Sequence, residues 1–152
     1  MKIVISCVDG SVHVMEIVGG ANVDDCIQKW KAVHTGMYAS HRSMPDSSIP
    51  IDREFRSAWS DITPQPVIDI DMQKARDIHL SRIRMKRNEM LSKLDIDAIK
   101  AQDMGDSEKL LAVRGKKQEL RDLPETLRPI LDAAETVEQL KEIKPFEQEV
   151  QP

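Results

Sequence analysis

The first 36 residues alternate between apolar and polar positions and then change to helical spacing. Apolar residues dominate positions 3–8 and 12–18, and Asp9-Gly10 lies between the two runs. Asp-Gly tolerates the positive φ of a tight turn, so the runs are predicted to form a β-hairpin. Asn22 can cap a following helix that ends at Gly36. Apolar residues recur in it three or four positions apart, at Val23, Cys26, Ile27, Trp30 and Val33. Residues 1–36 therefore predict a small ββα unit, with the helix covering the apolar hairpin.

The next segment, residues 37–70, loses this periodicity and is predicted to be a connector. It contains several serines and four prolines, which are typical of loops. The prolines are Pro45, Pro50, Pro64 and Pro66. Only residues 51–61 look helical, with Asp52 as the cap and with Phe55 and Trp59 one turn apart. We interpret the two aromatic residues as anchors to a core, and an exposed recognition helix is the alternative.

From residue 71 onward the pattern is helical. Asp71 can cap a long helix, and Asp95 or Asp97 is expected to restart a short one that ends at Gly105. Asp106-Ser107 then opens a helix that is expected to stop at Pro124. Residues 71–124 therefore predict an antiparallel helical hairpin. Its expected core is formed by Met90, Leu91, Leu94, Leu120 and Leu123.

Residues 125–152 predict a short helix and an acidic tail. Thr136 and Gln139 have the spacing of a capping box, in which each side chain bonds the other residue's backbone N–H. The predicted fold class is thus α+β. A small N-terminal β-hairpin plus helix unit is followed by the connector, a C-terminal helical hairpin and a short trailing helix.

Composition limits the possible functions. Aromatic residues make up 3% of the chain and charged residues 32%, with a formal net charge of -4. The negative charge argues against a protein that coats nucleic acid as a whole. No apolar run approaches the roughly 18 to 20 residues of a membrane span, and no signal-peptide core is visible, so no membrane association is expected. Cys7 and Cys26 are the only cysteines, which favours free thiols in a reducing cytoplasm over a disulfide.

Signatures of catalysis and cofactor binding are missing. The four histidines are scattered, and neither a CxxC nor an HExxH motif occurs, so no metal site is expected. Cys7, His13 and Cys26 could meet in the ββα unit, but ordinary packing is favoured. There is no glycine-rich phosphate loop, and no nucleophile has a visible acid–base partner. The sequence predicts a protein that is not an enzyme and that needs no cofactor.

A basic run begins the long helix. Residues 74–87 contain six cations, Lys74, Arg76, Arg82, Arg84, Lys86 and Arg87, against the single acid Asp77. The favoured interpretation is a helix face that is solvated or paired with Glu108, Glu119 and Asp122. The second interpretation is a surface that binds another protein. Nucleic acid binding is the least favoured interpretation, because no aromatic residue is interleaved for base stacking.

Two motifs in the predicted hairpin point to a family. Residues 84–91 read Arg-x-x-Arg-Asn-x-Met-Leu, and residues 118–124 read Gln-x-Leu-Arg-Asp-Leu-Pro. Together they resemble the small helical domain of bacteriophage tail assembly chaperones and tail-fibre-associated proteins. The chain departs from that family at Ile96, where a Trp is usual, and at Lys116-Lys117, where Tyr-Arg is usual. Residues 52–59, Asp-Arg-x-Phe-Arg-x-Ala-Trp, are also similar to a segment of uncharacterised phage tail-region proteins.

The resemblance implies a function and a set of binding residues. The chain is expected to bind a tail fibre or baseplate protein, as a virion adaptor or as a transient chaperone. The implied partner-binding residues are Arg84, Arg87, Asn88, Arg121 and Asp122. Arg–Asp pairs between the helices are expected to fix the register of the hairpin. The protein would be made in the host cytoplasm, and its incorporation into the virion tail and its homo-oligomerisation stay open. The alternative function is a phage accessory protein that binds nucleic acid through residues 74–87.

Overall fold

A computed structural model describes residues 1–61 and 66–146 of the chain. The fold is α+β, as predicted from the sequence. It divides into two compact units, Met1–Ala75 and Arg76–Pro152, and each is described by itself. Pro64 of the predicted connector and the predicted acidic tail from residue 147 lie outside the described residues.

The first unit is built on a three-stranded antiparallel sheet. The predicted hairpin is confirmed, with Gly10 at a φ of 76° in its turn. The predicted first helix is confirmed too, and the Asn22 side chain accepts a hydrogen bond from the Asp25 N–H. The sheet has the order β2-β1-β3, with β1 in the centre. Its elements are β1 (Lys2–Cys7), β2 (Val12–Glu16), α1 (Val23–Val33) and β3 (Tyr38–Met44).

Strand β3 corrects the prediction that residues 37–70 are only a connector. Its sequence, YASHRSM, is mostly polar and gives little alternation. It nevertheless pairs with β1 over its length, from Lys2 opposite Met44 to Cys7 opposite Tyr38. The second edge of β1 supplies backbone partners, so tertiary contacts decide this strand rather than local propensity.

Each face of the sheet has its own apolar cover. Ile27 of α1 packs on Ile3 and Ile5 on one face. The other face is covered by the segment after β3, in a cluster formed by Val4, Val12, Met44, Ile49, Trp59 and Ile68. Phe55 and Trp59 are 2% and 1% exposed, so both are anchors in the core. The alternative of an exposed recognition helix is therefore wrong.

The predicted helix at residues 51–61 is also wrong. That segment contains only a 3-10 turn, Arg56–Ala58, followed by the short strand β4 (Trp59–Ser60), which pairs with β5 (Asp69–Ile70). The Asp52 carboxylate accepts a hydrogen bond from the N–H of Glu54, two residues on. Asp side chains that bond so locally favour a turn over a helix.

The second unit is helical, and its helices are longer than predicted. Asp71 caps α2 by accepting from the Lys74 N–H, but α2 runs on without the predicted restart at Asp95 or Asp97. Gly105 has a φ of 66° and forms the turn, after which Asp106 caps α3 as predicted. The capping box of Thr136 and Gln139 is confirmed. The helices are α2 (Met72–Asp103), α3 (Ser107–Ala133) and α4 (Val137–Glu142).

Helix α3 does not stop at Pro124, and this corrects the predicted end of the hairpin. It contains both Pro124 and Pro129 and continues to Ala133. A proline in a helix interior costs about 3 kcal/mol relative to Ala. The turns beyond Pro124 bury Leu127 and Leu131, and burying one such side chain contributes about 1.5 to 3 kcal/mol. Burial of these two leucines, together with that of Pro124 itself, offsets the cost of the prolines, so the helix continues past the local signal for its end.

Candidate partner-binding surfaces of the helical hairpin

Two contacts define how α2 and α3 lie side by side. At one end the Arg76 guanidinium donates to the carbonyl oxygen of Ala134, at 2.8 Å from Nη2. Towards the other end Lys117 of α3 forms an ion pair with Asp95 of α2. The helices are therefore antiparallel, with residues 84–91 of α2 beside residues 118–124 of α3. The two motifs that are separated in the sequence are neighbours in the hairpin.

Burial follows a seven-residue repeat along both helices. The less exposed positions alternate in steps of three and four, which is the spacing of two helices packed in coiled-coil fashion. In α2 these positions are Arg76, Leu80, Ile83, Arg87, Met90, Leu94, Asp97 and Ala101. In α3 they are Leu110, Val113, Lys117, Leu120, Pro124, Leu127 and Leu131. These residues form the seam of the hairpin.

The seam separates two sides of the hairpin with different chemistry. Successive helical residues turn by about 100°, which assigns each side chain to one side. The polar side carries Arg84, Asn88 and Asp95 from α2 and Arg114, Gln118 and Arg121 from α3. The other side is called the groove side, because an open groove described below lies along it. It carries His79 and Lys93 from α2 and Lys116 and Leu123 from α3, and the seam residues Met90 and Leu120 border it.

Most of the predicted partner-binding residues are at the surface. Arg84, Asn88, Arg121 and Asp122 are exposed, and Arg87 is half-buried in the seam. The Arg87 guanidinium donates to the Asn88 Oδ1, at 3.0 Å from Nη2. Asp122 accepts from the Gln118 side chain within α3, at 2.8 Å. Each of these contacts lies within one helix, so the two motifs contribute one polar patch on α2 and one on α3.

The expected Arg–Asp pairs are replaced by a different ion pair. Lys117 of α3 pairs with Asp95 of α2, an aspartate that the resemblance also included, so a lysine takes the place of the expected arginine. The aspartate of the second motif, Asp122, accepts a hydrogen bond from Gln118 within its own helix.

The predicted core residues line an open groove. Met90, Leu94, Leu120 and Leu123 are half-buried, and Leu91 is half-buried near the polar side. The groove has a volume of about 440 Å³ and is completed by Lys93, Lys116, Glu119, Pro145 and Phe146. The buried seam positions are Ile83, Val113, Leu127 and Leu131. Leu127 and Leu131 were missed because the helix was predicted to end at Pro124.

The basic run is largely occupied by contacts within the chain. Lys74 is 3.8 Å from the carboxylate of Asp71, and Lys86 is 3.3 Å from that of Glu89. Arg76 and Arg87 make the hydrogen bonds given above. These partners are the capping residue before α2, residues of α2 itself or a backbone carbonyl, rather than the predicted acids of the neighbouring helix. Contacts of this kind leave fewer free cations for phosphates than the sequence suggested.

The first unit contains a buried ion pair. The Asp61 carboxylate is buried, and it accepts from the Arg42 guanidinium, at 3.1 Å from Nε, and from the Ser6 hydroxyl, at 3.0 Å. Arg42 belongs to β3 and Ser6 to β1. The three side chains therefore fasten the covering segment to the sheet, which is a structural role.

Three rings pack between β2 and α1. Trp30 and His34 stack with their centroids 4.2 Å apart, and His13 meets the Trp30 ring edge-on at 5.2 Å. Burial, the neighbouring His34 and the Arg56 charge lower the pKa of His13, against an opposing effect of Asp9. Cys7 and Cys26 are free thiols. Within residues 1–61 and 66–146, no three metal-binding side chains come together.

None of the described helices is long and apolar enough to cross a membrane. No protein-family model, curated protein or solved structure matches this chain.

Proposed function

We propose that the chain is a non-enzymatic bacteriophage tail protein that binds a tail fibre or baseplate component through the polar side of its hairpin. The observation that supports this function is the meeting of the two motifs. Residues 84–91 and 118–124 are far apart in the sequence, yet the antiparallel register brings them side by side. Their polar side chains are exposed there.

The charge of this surface indicates the chemistry of the partner. Arg84, Arg114 and Arg121 are exposed on the same side, and Asp95, which is also on it, is paired with Lys117. Glu125, four residues after Arg121, is 3.9 Å from Arg128. The surface therefore has an excess of positive charge, and an acidic surface on the partner would complement it. Such complementarity mainly accelerates and orients association, so the binding is expected to weaken with salt.

The main test is capture of the other tail proteins encoded by the same phage. Arg84→Ala with Arg121→Ala removes two exposed charges from the polar side. Lys29→Ala with Lys100→Ala removes the same charge from exposed positions elsewhere and serves as the control. We expect the first variant to keep its thermal midpoint and to lose most of the recovery of one tail component, while the control recovers it normally.

Equal recovery of every tail component by both variants and the wild type would contradict the proposal. Salt-dependent retention of the wild type on DNA, with no tail component recovered, would support the nucleic acid alternative instead. The adaptor and chaperone roles are distinguished by mass spectrometry of purified particles, because only an adaptor remains in the mature virion.

A further inference from the structure

Helix α4 covers one end of the groove side. Leu140 is fully buried and Val137 is 8% exposed, so the apolar side of α4 is packed against the unit. The carbonyl oxygen of Ile143, just after α4, accepts a hydrogen bond from His79 Nε2 of α2 at 2.9 Å. His79 belongs to the groove side of α2. The chain thus places a short helix along this side of its own hairpin.

The same side continues beyond α4 as the open groove. Pro145 and Phe146 follow α4 and line the groove together with Met90, Leu94, Leu120 and Leu123. Nearer to α4 the seam residues Ile83, Leu127 and Leu131 are buried. The four apolar residues that α2 and α3 contribute to the groove are only half-buried. Among the described residues, this apolar floor is shielded at one end and open at the other, which is the form of a site for a further helix.

The rims of the groove carry positive charge. Lys93 comes from α2 and Lys116 from α3, so one lysine stands on each side of the apolar floor. Glu119 is the acidic residue among those that line the groove. A helix that places apolar side chains on the floor would bring its flanks beside these lysines, where acidic residues are favoured.

We propose that the groove binds a short, acidic amphipathic helix of a partner protein. Helix α4 shows that this side of the hairpin accepts the apolar side of a short helix. Val137 and Leu140 are three positions apart and buried, and the helix also carries the exposed Glu138 and Glu142 together with Lys141. The groove lies on the opposite side of the hairpin from Arg84 and Arg121, so this second binding surface does not depend on the proposed tail function.

The test uses the full chain and a peptide derived from α4. The peptide has the sequence of residues 134–144 with Lys141→Glu and Lys144→Glu, and a control peptide also carries Leu140→Asp. The protein is labelled at its methionine and isoleucine methyl groups and followed by NMR. Met90 lines the groove and is the reporter, whereas Met85 and Met104 are exposed elsewhere on α2 and just after it.

We expect the peptide to shift the Met90 signal saturably and to leave Met85 and Met104 unchanged. Lys93→Glu with Lys116→Glu should weaken this binding by about tenfold, because it reverses the charge of both rims. Lys29→Glu with Arg53→Glu, at exposed positions of the first unit, is the matched control, and it should change the affinity by no more than about twofold. Circular dichroism checks that both variants keep the fold.

Three results would overturn the proposal. The first is no shift of Met90 at millimolar peptide, and the second is equal binding of the Leu140→Asp peptide. The third is a shift of the Ile143 methyl without one at Met90, since the peptide would then be displacing α4 rather than filling the groove.

Discussion

Among single residues, His13 is the one whose protonation is most clearly coupled to folding. It packs against Trp30 and His34, and its pKa is lowered from 6.5 chiefly by burial and then by the charges of His34 and Arg56. A lowered pKa means that the folded protein favours the neutral imidazole. Acid then favours the unfolded chain, which takes up the proton more readily.

We therefore expect the stability of the first unit to fall as the pH is lowered. The contribution of His13 is present above pH 6.5, the ordinary value of its pKa, and is lost as the pH falls through the lowered pKa of the folded state. Urea midpoints of the wild type and of His13→Gln, measured across this range, provide the test. The variant should lose less stability on acidification.

An equally steep pH dependence in His13→Gln would show that other groups are responsible. Lys29→Gln, an exposed substitution on the same unit, controls for effects of net charge.

At the level of secondary-structure elements, the extension of α3 beyond Pro124 has a measurable cost. Pro129 is exposed and lies inside the helix, where it has no N–H to donate to the carbonyl of residue 125. Pro129→Ala should stabilise the protein by about 2 to 2.6 kcal/mol, which is the helix penalty of proline less the entropy that proline removes from the unfolded chain.

Chemical denaturation of Pro129→Ala and of Arg128→Ala, its exposed neighbour, tests this expectation. The neighbour should change stability by less than about 0.5 kcal/mol. A loss of stability in Pro129→Ala would mean that the helix does not continue through this position.

The burial along the seam predicts that replacing two of its leucines by alanine will lower the free energy of unfolding by different amounts. Leu131 is 2% exposed, so Leu131→Ala should destabilise by about 3 to 4 kcal/mol. Leu120 is half-buried at the groove, so Leu120→Ala should cost only about 1 to 2 kcal/mol. Equal costs, measured by urea denaturation, would mean that the groove is closed in solution.

For the whole molecule, the described residues show apolar packing in each unit, two free cysteines, and no group of three metal-binding side chains. Cys7 and Cys26 are both free. We expect the thermal midpoint and the circular dichroism spectrum to be the same with and without a reductant and a chelator. A midpoint that falls with reductant would reveal a disulfide, and one that falls with chelator would reveal a bound metal.

The sequence determined the elements whose signals are local. Asp9-Gly10 specified the hairpin turn, and the caps Asn22, Asp71 and Asp106 set the starts of three helices. The capping box of Thr136 set the start of α4. Each of these depends on backbone groups within a few residues, so the pattern contains the necessary information.

Only the tertiary structure decided the features that depend on distant partners. Strand β3 forms because β1 has a second edge to pair, and Phe55 and Trp59 are buried in the core of the first unit instead of lying on one side of a helix. Helix α3 passes Pro124 because Leu127 and Leu131 become buried.

The same division applies to the binding surfaces. The two motifs identified the residues of the polar side, but their adjacency needed the antiparallel register of α2 and α3. The open groove could not be read from the sequence. Met90, Leu94, Leu120 and Leu123 have the spacing of a closed core, and whether a third element covers them is set by where α4 ends. The free energy of burying a side chain depends on every neighbour that packs on it, and a local pattern does not specify those neighbours.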